Sequence, residues 1–488
     1  MTTIPVLSII VLAPVAASLL IGLFGGNPKA PRVMALVAAT LTLIGSAWVF
    51  VNYNQAAGGF QFAESVPWIP SFGVSFSLGV DGISSPMLLL TALIIFTGVL
   101  VSWNVEERPR EYFALLLLLV TGVFGVFAAR DAFLLFFFYE MAVLPMYLLI
   151  AVWGSTRKEY AAMKLTLFLF AGSATLILLL VLVYWQVGQG TFDLAVWSTH
   201  TYPASFQYWA FLLALIGFGT LIPIFPLHTW SPDGHVAAPT AVSMLHAGVL
   251  LKIGAYGLIR LGLTLFPQGW ADWALLLGII GIINIVYGAL CAMSQTDLKY
   301  VIGYSSVSHM GYVLLGLAVG GKYGLTGAVF QMFAHGIMTG LFFALIGYVY
   351  EKTHTRTIAE LSGLMHKAPL VAACFIIAAA SSMGLPSTAG FVAELTVYVG
   401  VLVKSVWLAA AAFVGVVVTA AYLLKFLSRI LLGDPSDAVA LMDDAPPLRF
   451  APMAILAATI MIVGIFPGPM FTMITSGVAP LVQRLAGG

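Results

Sequence analysis

The chain has 488 residues, of which 61% are hydrophobic and only 8% charged, against about 25% charged residues in an ordinary soluble domain. This composition indicates a membrane protein, and a net charge of +1 excludes a basic surface for nucleic acid. Since a spanning helix needs about 20 apolar residues, the length accommodates about fourteen spans and no separate Rossmann or P-loop domain. No nucleotide-binding fingerprint is present. Cys291 and Cys374 lie in apolar runs, which predicts packing roles for them and no metal or disulfide site.

Fourteen apolar runs follow one another along the chain, each long enough to cross a bilayer as a helix. They are too long and too continuously apolar for the alternating strands of a membrane barrel. We therefore predict an all-α integral membrane protein, with a single membrane domain over residues 1–488. The predicted spans are residues 5–25, 33–52, 86–103, 112–129, 132–153, 162–186, 206–232, 238–262, 271–293, 299–319, 324–350, 369–400, 403–430 and 451–475.

The basic residues of the connections are divided unevenly between the two sides of the membrane. One side carries Lys29, Arg32, Arg108, Arg110, Arg157, Lys158, Lys299, Lys352, Arg356, Lys367, Arg429 and Arg449, and the other carries Arg130, Arg260, Lys322, Lys404 and Arg484. Because cytoplasmic loops carry the excess of Lys and Arg, we predict that the first side is cytoplasmic and that both termini lie on the outer side. The first run follows no basic residue, so we do not expect a cleaved signal peptide.

Two predicted spans contain prolines that should interrupt the helix within the membrane. The seventh reads Pro-Ile-Phe-Pro-Leu-His at 223–228, and the twelfth reads Ser-Ser-Met-Gly-Leu-Pro-Ser-Thr-Ala-Gly at 381–390. Proline removes a helical hydrogen bond, and backbone groups freed at that depth usually line a cavity. Since the breaks are five spans apart, they predict two inverted five-helix repeats, residues 112–262 (spans 4–8) and 271–430 (spans 9–13), with an ion path between them. Two unrelated proline kinks are the alternative.

Charged side chains within spans are costly and are therefore functional candidates. Glu140 lies ~12 Å from the outer end of span 5, Lys252 lies ~21 Å from the inner end of span 8, and Glu394 follows the break in span 12. We predict proton transfer for all three. The alternatives are a structural hydrogen bond for Glu140, a carbonyl partner for Lys252 and a capping or packing role for Glu394.

Polar side chains also form a stripe on span 11. Gln331, His335 and Thr339 are spaced four residues apart, and an imidazole can pass a proton between its two nitrogens. We predict a relay at His335, with a satisfied core histidine as the alternative. Weaker candidates, for which packing or snorkelling to the membrane surface is an equal explanation, are His246, His309, Lys299 and Lys164.

Several long motifs resemble a known family. Residues 139–154, 225–257, 297–312 and 384–394 are similar to the antiporter-like membrane chains of respiratory complex I, NADH:quinone oxidoreductase. The pattern Glu-Met-x-x-x-Pro-Met-Tyr and the tripeptide Leu-Leu-Lys favour the branch of subunit M, the counterpart of mitochondrial chain 4.

This resemblance implies a proton-translocating subunit in the inner (plasma) membrane of a prokaryote. NADH, FMN, iron–sulfur clusters and quinone would belong to partner subunits, and this chain would bind no cofactor. The implied partners are the antiporter-like neighbours L and N, the peripheral arm indirectly, and lipid. By position, Glu140 resembles the family's span-5 glutamate, Lys252 its span-8 lysine and Glu394 its span-12 acid, joined by water along the membrane plane.

One position departs from the family pattern. The family usually carries a lysine two residues before the first proline of span 7, where it pairs with the span-5 glutamate, and this chain has Leu221 there. Lys164 lies some 15 Å from Glu140 along the axis, too far for a side chain to bridge. Our hypothesis is that Glu140 couples through water or through Lys252. The alternatives are a non-pumping spacer, a subunit of a multi-chain Na⁺/H⁺ antiporter, and a membrane subunit of a related hydrogenase or of a photosynthetic or ferredoxin-linked complex.

Overall fold

The chain forms a bundle of long helices, described by a computed structural model over residues 5–24, 27 and 29–487. Within these residues, thirteen helices are long and apolar enough to cross a membrane. A further crossing is built from two shorter helices at the break in span 12. The predicted all-α membrane protein with about fourteen spans is therefore confirmed.

The helices up to the first break are α1 (Val6–Phe24), α2 (Ala30–Asn52), α3 (Ser84–Val101), α4 (Pro109–Ala128), α5 (Ala132–Trp153), α6 (Lys158–Val187), the short α7 (Leu194–Thr199) and α8 (Ala204–Leu221). Next are α9 (Trp230–Ala237), α10 (Thr240–Leu245) and α11 (Leu251–Gly257). Two π-helical turns, His246–Leu250 and Leu258–Leu263, complete span 8 with α10 and α11.

The second half contains α12 (Pro267–Ser294), α13 (Leu298–Val319), α14 (Gly321–Thr353) and the short α15 (Leu364–Lys367). The two parts of span 12 are α16 (Pro369–Ser382) and α17 (Ala389–Lys404). They are followed by α18 (Val406–Leu431), the short α19 (Asp437–Ala440), α20 (Pro447–Ile465) and α21 (Gly468–Gly487).

Both predicted breaks are confirmed, and buried side chains bind the backbone groups that they free. At the first break, the amide of Asn284 on α12 accepts a hydrogen bond from Phe225 N (2.8 Å) and donates one to Pro223 O (3.0 Å). At the second break, the hydroxyl of Ser381 accepts a hydrogen bond from Gly390 N (3.3 Å). Non-helical backbone at membrane depth is tolerated when protein groups satisfy it in this way.

A β-hairpin covers one end of the bundle, in a segment that the sequence left unassigned. Its antiparallel strands are β1 (Gln61–Ile69) and β2 (Val74–Val80). The carboxylate of Glu64 in β1 accepts hydrogen bonds from Leu7 N and Ser8 N, both at 2.9 Å, which satisfies the first turn of α1. We refer to this end as the hairpin end and to the opposite one as the Lys299 end.

The predicted last span, residues 451–475, is wrong in its second part. α20 ends at Ile465, and the non-helical Phe466 and Pro467 separate it from α21. Proline restricts the preceding residue to extended conformations, so an apolar run that crosses Pro467 does not continue as one helix. α21 does not belong to the thirteen helices that qualify as spans within the described residues.

The centre of the bundle is formed by span 8, α13 and α14. The most apolar windows of span 8 and α14 are entirely buried, whereas α1, α2 and α20 bury about a third or less of theirs. A helix that is buried on all sides leaves its polar side chains without water, so each of them needs a partner within the bundle.

Two short antiparallel bridges occur at opposite ends of the bundle. Asp131, before α5, pairs with Asp193, after α6, at the hairpin end, and Asp297, before α13, pairs with Thr357, after α14, at the Lys299 end. In each case the aspartate side chain also caps the helix that follows it. The same local construction therefore occurs five spans apart, at opposite ends.

Candidate functional site

Lys252 lies at the centre of the bundle and is completely buried. Its Nζ atom donates a hydrogen bond to Ala247 O (2.5 Å) and lies 2.6 Å from Nδ1 of His335 on α14. A buried lysine must be paired or hydrogen-bonded to remain in such a place. The structure thus brings together two predicted residues that are 83 positions apart.

Two local features make this contact possible. The π-helical turn bonds Leu251 N to His246 O instead of the usual Ala247 O, so the carbonyl of Ala247 is free to accept the lysine. In addition, a Cβ atom on Gly336 would lie 2.6 Å from Gly248 O, so only glycine permits the two backbones to approach this closely.

A chain of ionisable groups continues from His335 towards Glu394. The rings of His335 and His309 are 5.5 Å apart between centroids, and Nδ1 of His309 lies 3.2 Å from Oε1 of Glu394. The other ring nitrogen of His309 lies 2.8 Å from the hydroxyl of Ser382, the last residue of α16. The amide of Gln331 also approaches His309, at 3.3 Å. All the ionisable residues in this series are buried.

The break in span 12 positions the carboxyl group of Glu394. Gly384 has a φ of +65°, and a Cβ atom there would lie 2.9 Å from Oε2 of Glu394. The left-handed backbone and the missing side chain allow the chain to turn over the carboxyl group. A capping or packing role alone does not account for the pairing of Glu394 with His309.

On the other side of Lys252, two buried histidines lie ring against ring. His246 and His235 are 4.2 Å apart between centroids, and Nε2 of His235 lies 3.0 Å from the hydroxyl of Ser231. The sequence identified His246 as a weak candidate and did not identify His235. The signal for His235 was its position directly after the first break, in Ser-Pro-Asp-Gly-His.

Lys299 is a structural partner of α9, and the snorkelling explanation for it is wrong. Its side chain is buried, and Nζ donates hydrogen bonds to Ala238 O (2.7 Å) and Val236 O (3.4 Å). Arg356 donates to Val236 O as well (3.1 Å) and pairs with Asp297 (3.3 Å). Two cations at the carboxyl end of a helix match its dipole and fix the position of the half-helix.

Lys164 pairs with an aspartate that the sequence did not single out. Its Nζ atom lies 2.8 Å from Oδ2 of Asp233 on α9, and the hydroxyl of Tyr300 donates to Oδ1 of the same carboxylate (3.1 Å). Lys164 is thus paired with a residue of α9, and it does not replace the lysine that is missing from span 7.

Glu140 lies apart from this network. It is half-buried on α5, and it shares a face of that helix with the exposed Phe137 and Leu144. Its Oε1 atom is buried without a hydrogen-bond partner among the described residues, while Ser173 on α6 faces the carboxyl group. Leu221 is completely buried at the end of α8. The hydrogen bonds and ion pairs of the described residues connect Glu140 to neither Lys252 nor Lys164.

Taken together, three buried bases, Lys252, His335 and His309, lead to one buried acid, Glu394. Groups of this kind can accept and release protons, and an imidazole can do so with either nitrogen. No hydrogen bond of the described residues joins the two histidine rings, and Nε2 of His335 has no partner there, so proton transfer between the rings needs a bridging water. A series of such groups is suited to passing protons from one helix to the next.

The chain matches known proteins over most of its length. A family described as NADH:quinone oxidoreductase/Mrp antiporter, TM, matches residues 129–419. A curated relative from Picosynechococcus sp., NAD(P)H-quinone oxidoreductase chain 4 1, is 41% identical over 426 residues, which are 85% of this chain and 80% of the relative.

Two solved structures resemble the fold. A chain of respiratory complex I from Thermus thermophilus with bound NADH superposes with a TM-score of 0.90 and 30% identity, over 99% of each chain. A chain of the Mrp complex from Dietzia sp. superposes with a TM-score of 0.88 and 23% identity, over 99% of this chain and all of the other. At that lower identity, the second match is a likeness of fold.

Proposed function

The chain belongs to the antiporter-like membrane subunits of NADH:quinone oxidoreductase (complex I), in the branch of subunit M or chain 4, and we propose that it translocates protons there. Quinone reduction takes place in other subunits, which hold the NADH, FMN, iron–sulfur and quinone sites. The observation that carries the proposal is the buried series of ionisable side chains from Lys252 to Glu394.

In this proposal, Lys252 and His335 exchange a proton across their 2.6 Å contact. His335 passes it through a bridging water to His309, which transfers it to the carboxylate of Glu394 at 3.2 Å. Ser382 and Gln331 hold the ring of His309 in orientation. Lys299 acts as a positioning residue, because it fixes α9 and, with α9, the side chain of His235.

The proposal includes the two inverted five-helix repeats, residues 112–262 and 271–430. The two helix breaks support it, as do the matching bridges before α5 and α13 at opposite ends of the bundle. In corresponding places of the repeats, Ser382 ends α16 and bonds to His309, whereas the apolar Leu221 ends α8.

Glu140 has two possible roles under this proposal. In the first, water connects it to Lys252 and it takes part in coupling without the usual lysine. In the second, the absence of a lysine at position 221 makes the first repeat a spacer between neighbouring subunits. The unpartnered carboxyl oxygen of Glu140 favours the first role, because a buried oxygen without a partner is costly unless water reaches it.

We assign the Lys299 end to the cytoplasm and the hairpin end, with both termini, to the outer side of the inner (plasma) membrane, because the basic residues are concentrated at the Lys299 end. Subunits L and N are the proposed lateral neighbours. Co-purification tests this assembly: peripheral iron–sulfur and flavin subunits support complex I, nickel–iron subunits indicate a hydrogenase, and neither indicates an antiporter.

The test uses inverted membrane vesicles from the native host, with quinone reduction and acidification recorded together. Glu394→Gln and Glu140→Gln are compared with Glu111→Gln, which changes an exposed carboxylate in the first turn of α4. Loss of acidification in Glu394→Gln alone supports the proposed chain and the spacer role of Glu140. Loss in both variants supports coupling through Glu140. Wild-type acidification in both contradicts proton transfer through this chain.

A further inference from the structure

The last helix lies against the hairpin end of the bundle. A Cβ atom on Gly477 of α21 would lie 2.5 Å from Ile83 N, and one on Gly82 would lie 2.1 Å from Met473 O. The backbone of α21 is thus pressed onto the turn at residues 81–83, which only glycine at these positions permits. Farther along α21, Leu485 lies beside Gly320. Both contacts are at the hairpin end, where α3 begins and α13 ends, so α21 lies across this end of the bundle.

A cavity of about 290 Å³ lies between α21 and the end of span 8. Two arginines line it: Arg260 from span 8 and Arg484 from α21. Apolar groups, including Phe60 and Leu481, form much of the remaining wall, and Asp81 is its acidic member. The cavity is large enough for a small anionic group together with part of an apolar attachment.

One of the two arginines is already paired. Arg260 lies 2.6 Å from Oδ1 of Asp81, and its guanidinium group lies between the rings of Phe60 (5.0 Å) and Tyr256 (4.8 Å). These contacts fix its orientation. Its Nε atom nevertheless remains buried without a hydrogen-bond acceptor among the described residues.

The other arginine, Arg484, has no acidic partner among the described residues. Arg484 makes no ion pair within the described part of the chain, and its buried Nε atom has no acceptor there either. Burial lowers the pKa of Arg484, because a charged guanidinium loses its hydration in this position. Two arginines and one aspartate line the cavity, so its lining carries one positive charge without an ion-pair partner among the described residues.

We propose that this cavity binds a phosphate group at the membrane surface, with Arg260 and Arg484 as its ligands. Guanidinium groups bind phosphate through parallel N–H donors, and two arginines line this one cavity. The apolar wall and the surface position of α21 suit the phosphodiester of an anionic phospholipid. A free phosphate ion is the other source of the same chemistry.

Native mass spectrometry of the purified complex tests the site by counting the phospholipids that it retains. Arg484→Gln removes the excess charge and is expected to lose one bound phospholipid per copy of this chain. Lys322→Gln is the matched control, because it removes an exposed cation from the same end that does not line the cavity. Arg484→Lys retains the charge and is expected to retain the lipid at reduced occupancy.

The source is distinguished on the delipidated wild-type complex, by the melting temperature of this chain with added phosphatidylglycerol or with inorganic phosphate. Stabilisation by the lipid alone identifies a headgroup site, and equal stabilisation by inorganic phosphate identifies a site for the free ion. Because this measurement uses only the wild-type complex, it tests the proposal even if Arg484→Gln fails to assemble. Equal lipid retention in all variants excludes the lipid headgroup as the source. No stabilisation of the wild type by either compound overturns the proposal.

Discussion

Glu140 belongs to the first half of the bundle and Glu394 to the second, and their carboxyl groups have very different surroundings. Glu394 is buried and pairs with His309, which is in turn bonded to the last residue of α16. Glu140 is half-buried, lacks a partner for one oxygen among the described residues, and belongs to the half in which Leu221 ends the broken helix.

This difference shows that one backbone plan can carry unequal polar chemistry. Side chains bind free backbone groups at both breaks, so the missing lysine does not prevent the first half from folding. Among the described residues, however, the network of ionisable groups that includes Lys252 runs towards Glu394 and does not include Glu140. If the two halves function differently, substitutions should have their largest effects on the Glu394 side.

The largest effect is expected at Lys252, which lies between the two halves. Lys252→Met removes the central base and should reduce acidification at least about tenfold, since proton transfer by a positioned group is commonly worth more than that. Lys252→Arg should reduce acidification to a similar extent, because arginine retains the charge but does not release its proton. Acidification in inverted vesicles measures both. Full activity of Lys252→Arg would mean that only the charge matters and that no proton passes through this side chain.

The next prediction compares the two carboxyl groups directly. Glu394→Gln should reduce acidification by about tenfold, because it interrupts the chain after His309. Glu140→Gln should have the smaller effect, because none of the described hydrogen bonds connects it to the chain. Glu111→Gln serves as the control in the same assay. Equal losses in the Glu140 and Glu394 variants would remove the asymmetry between the halves.

Restoring the missing cation should make the two halves more alike. Leu221→Lys places a charge in a completely buried position, which is tolerated only if Glu140 compensates it. A double-mutant cycle with Glu140→Gln should therefore give a coupling of about 1–3 kcal/mol in the free energy of unfolding. No coupling would show that the two positions do not face each other. An unchanged proton stoichiometry in Leu221→Lys would argue against any role for the missing lysine.

Much of this fold could be predicted from the sequence, because its signals are local. Apolar runs of sufficient length locate the spans, and the prolines at 223, 226 and 386 locate both breaks. The hairpin could not be predicted with the same certainty, since a short half-exposed strand pair has no signal of comparable strength. α21 was merged with α20 because both are apolar, although Pro467 stands between them.

The candidate site was predictable residue by residue, but its connections were not. Lys252, His335 and Glu394 stand out because charge and imidazole are rare within spans. Their order depends on long-range packing, such as the contact of Gly248 with Gly336, which no periodicity reveals. For the same reason, the sequence did not predict that Lys299 binds the carboxyl end of α9 or that Lys164 pairs with Asp233.

The smallest effect is expected at Lys299, which positions a half-helix and transfers no proton in the proposed mechanism. Lys299→Met leaves the carbonyl groups of Val236 and Ala238 with fewer donors at the carboxyl end of α9. This should lower the free energy of unfolding by up to about 2 kcal/mol, the upper end of the contribution of a cation at the carboxyl end of a helix. Thermal unfolding of the purified complex measures this loss of stability, with Lys425→Met, which changes an exposed lysine at the same end, as control.

Because the series of groups from Lys252 to Glu394 stays intact, acidification per electron should remain close to that of the wild type. A loss of acidification without a loss of stability would instead place Lys299 in the proton path, and the first half of the bundle would then have a polar connection of its own.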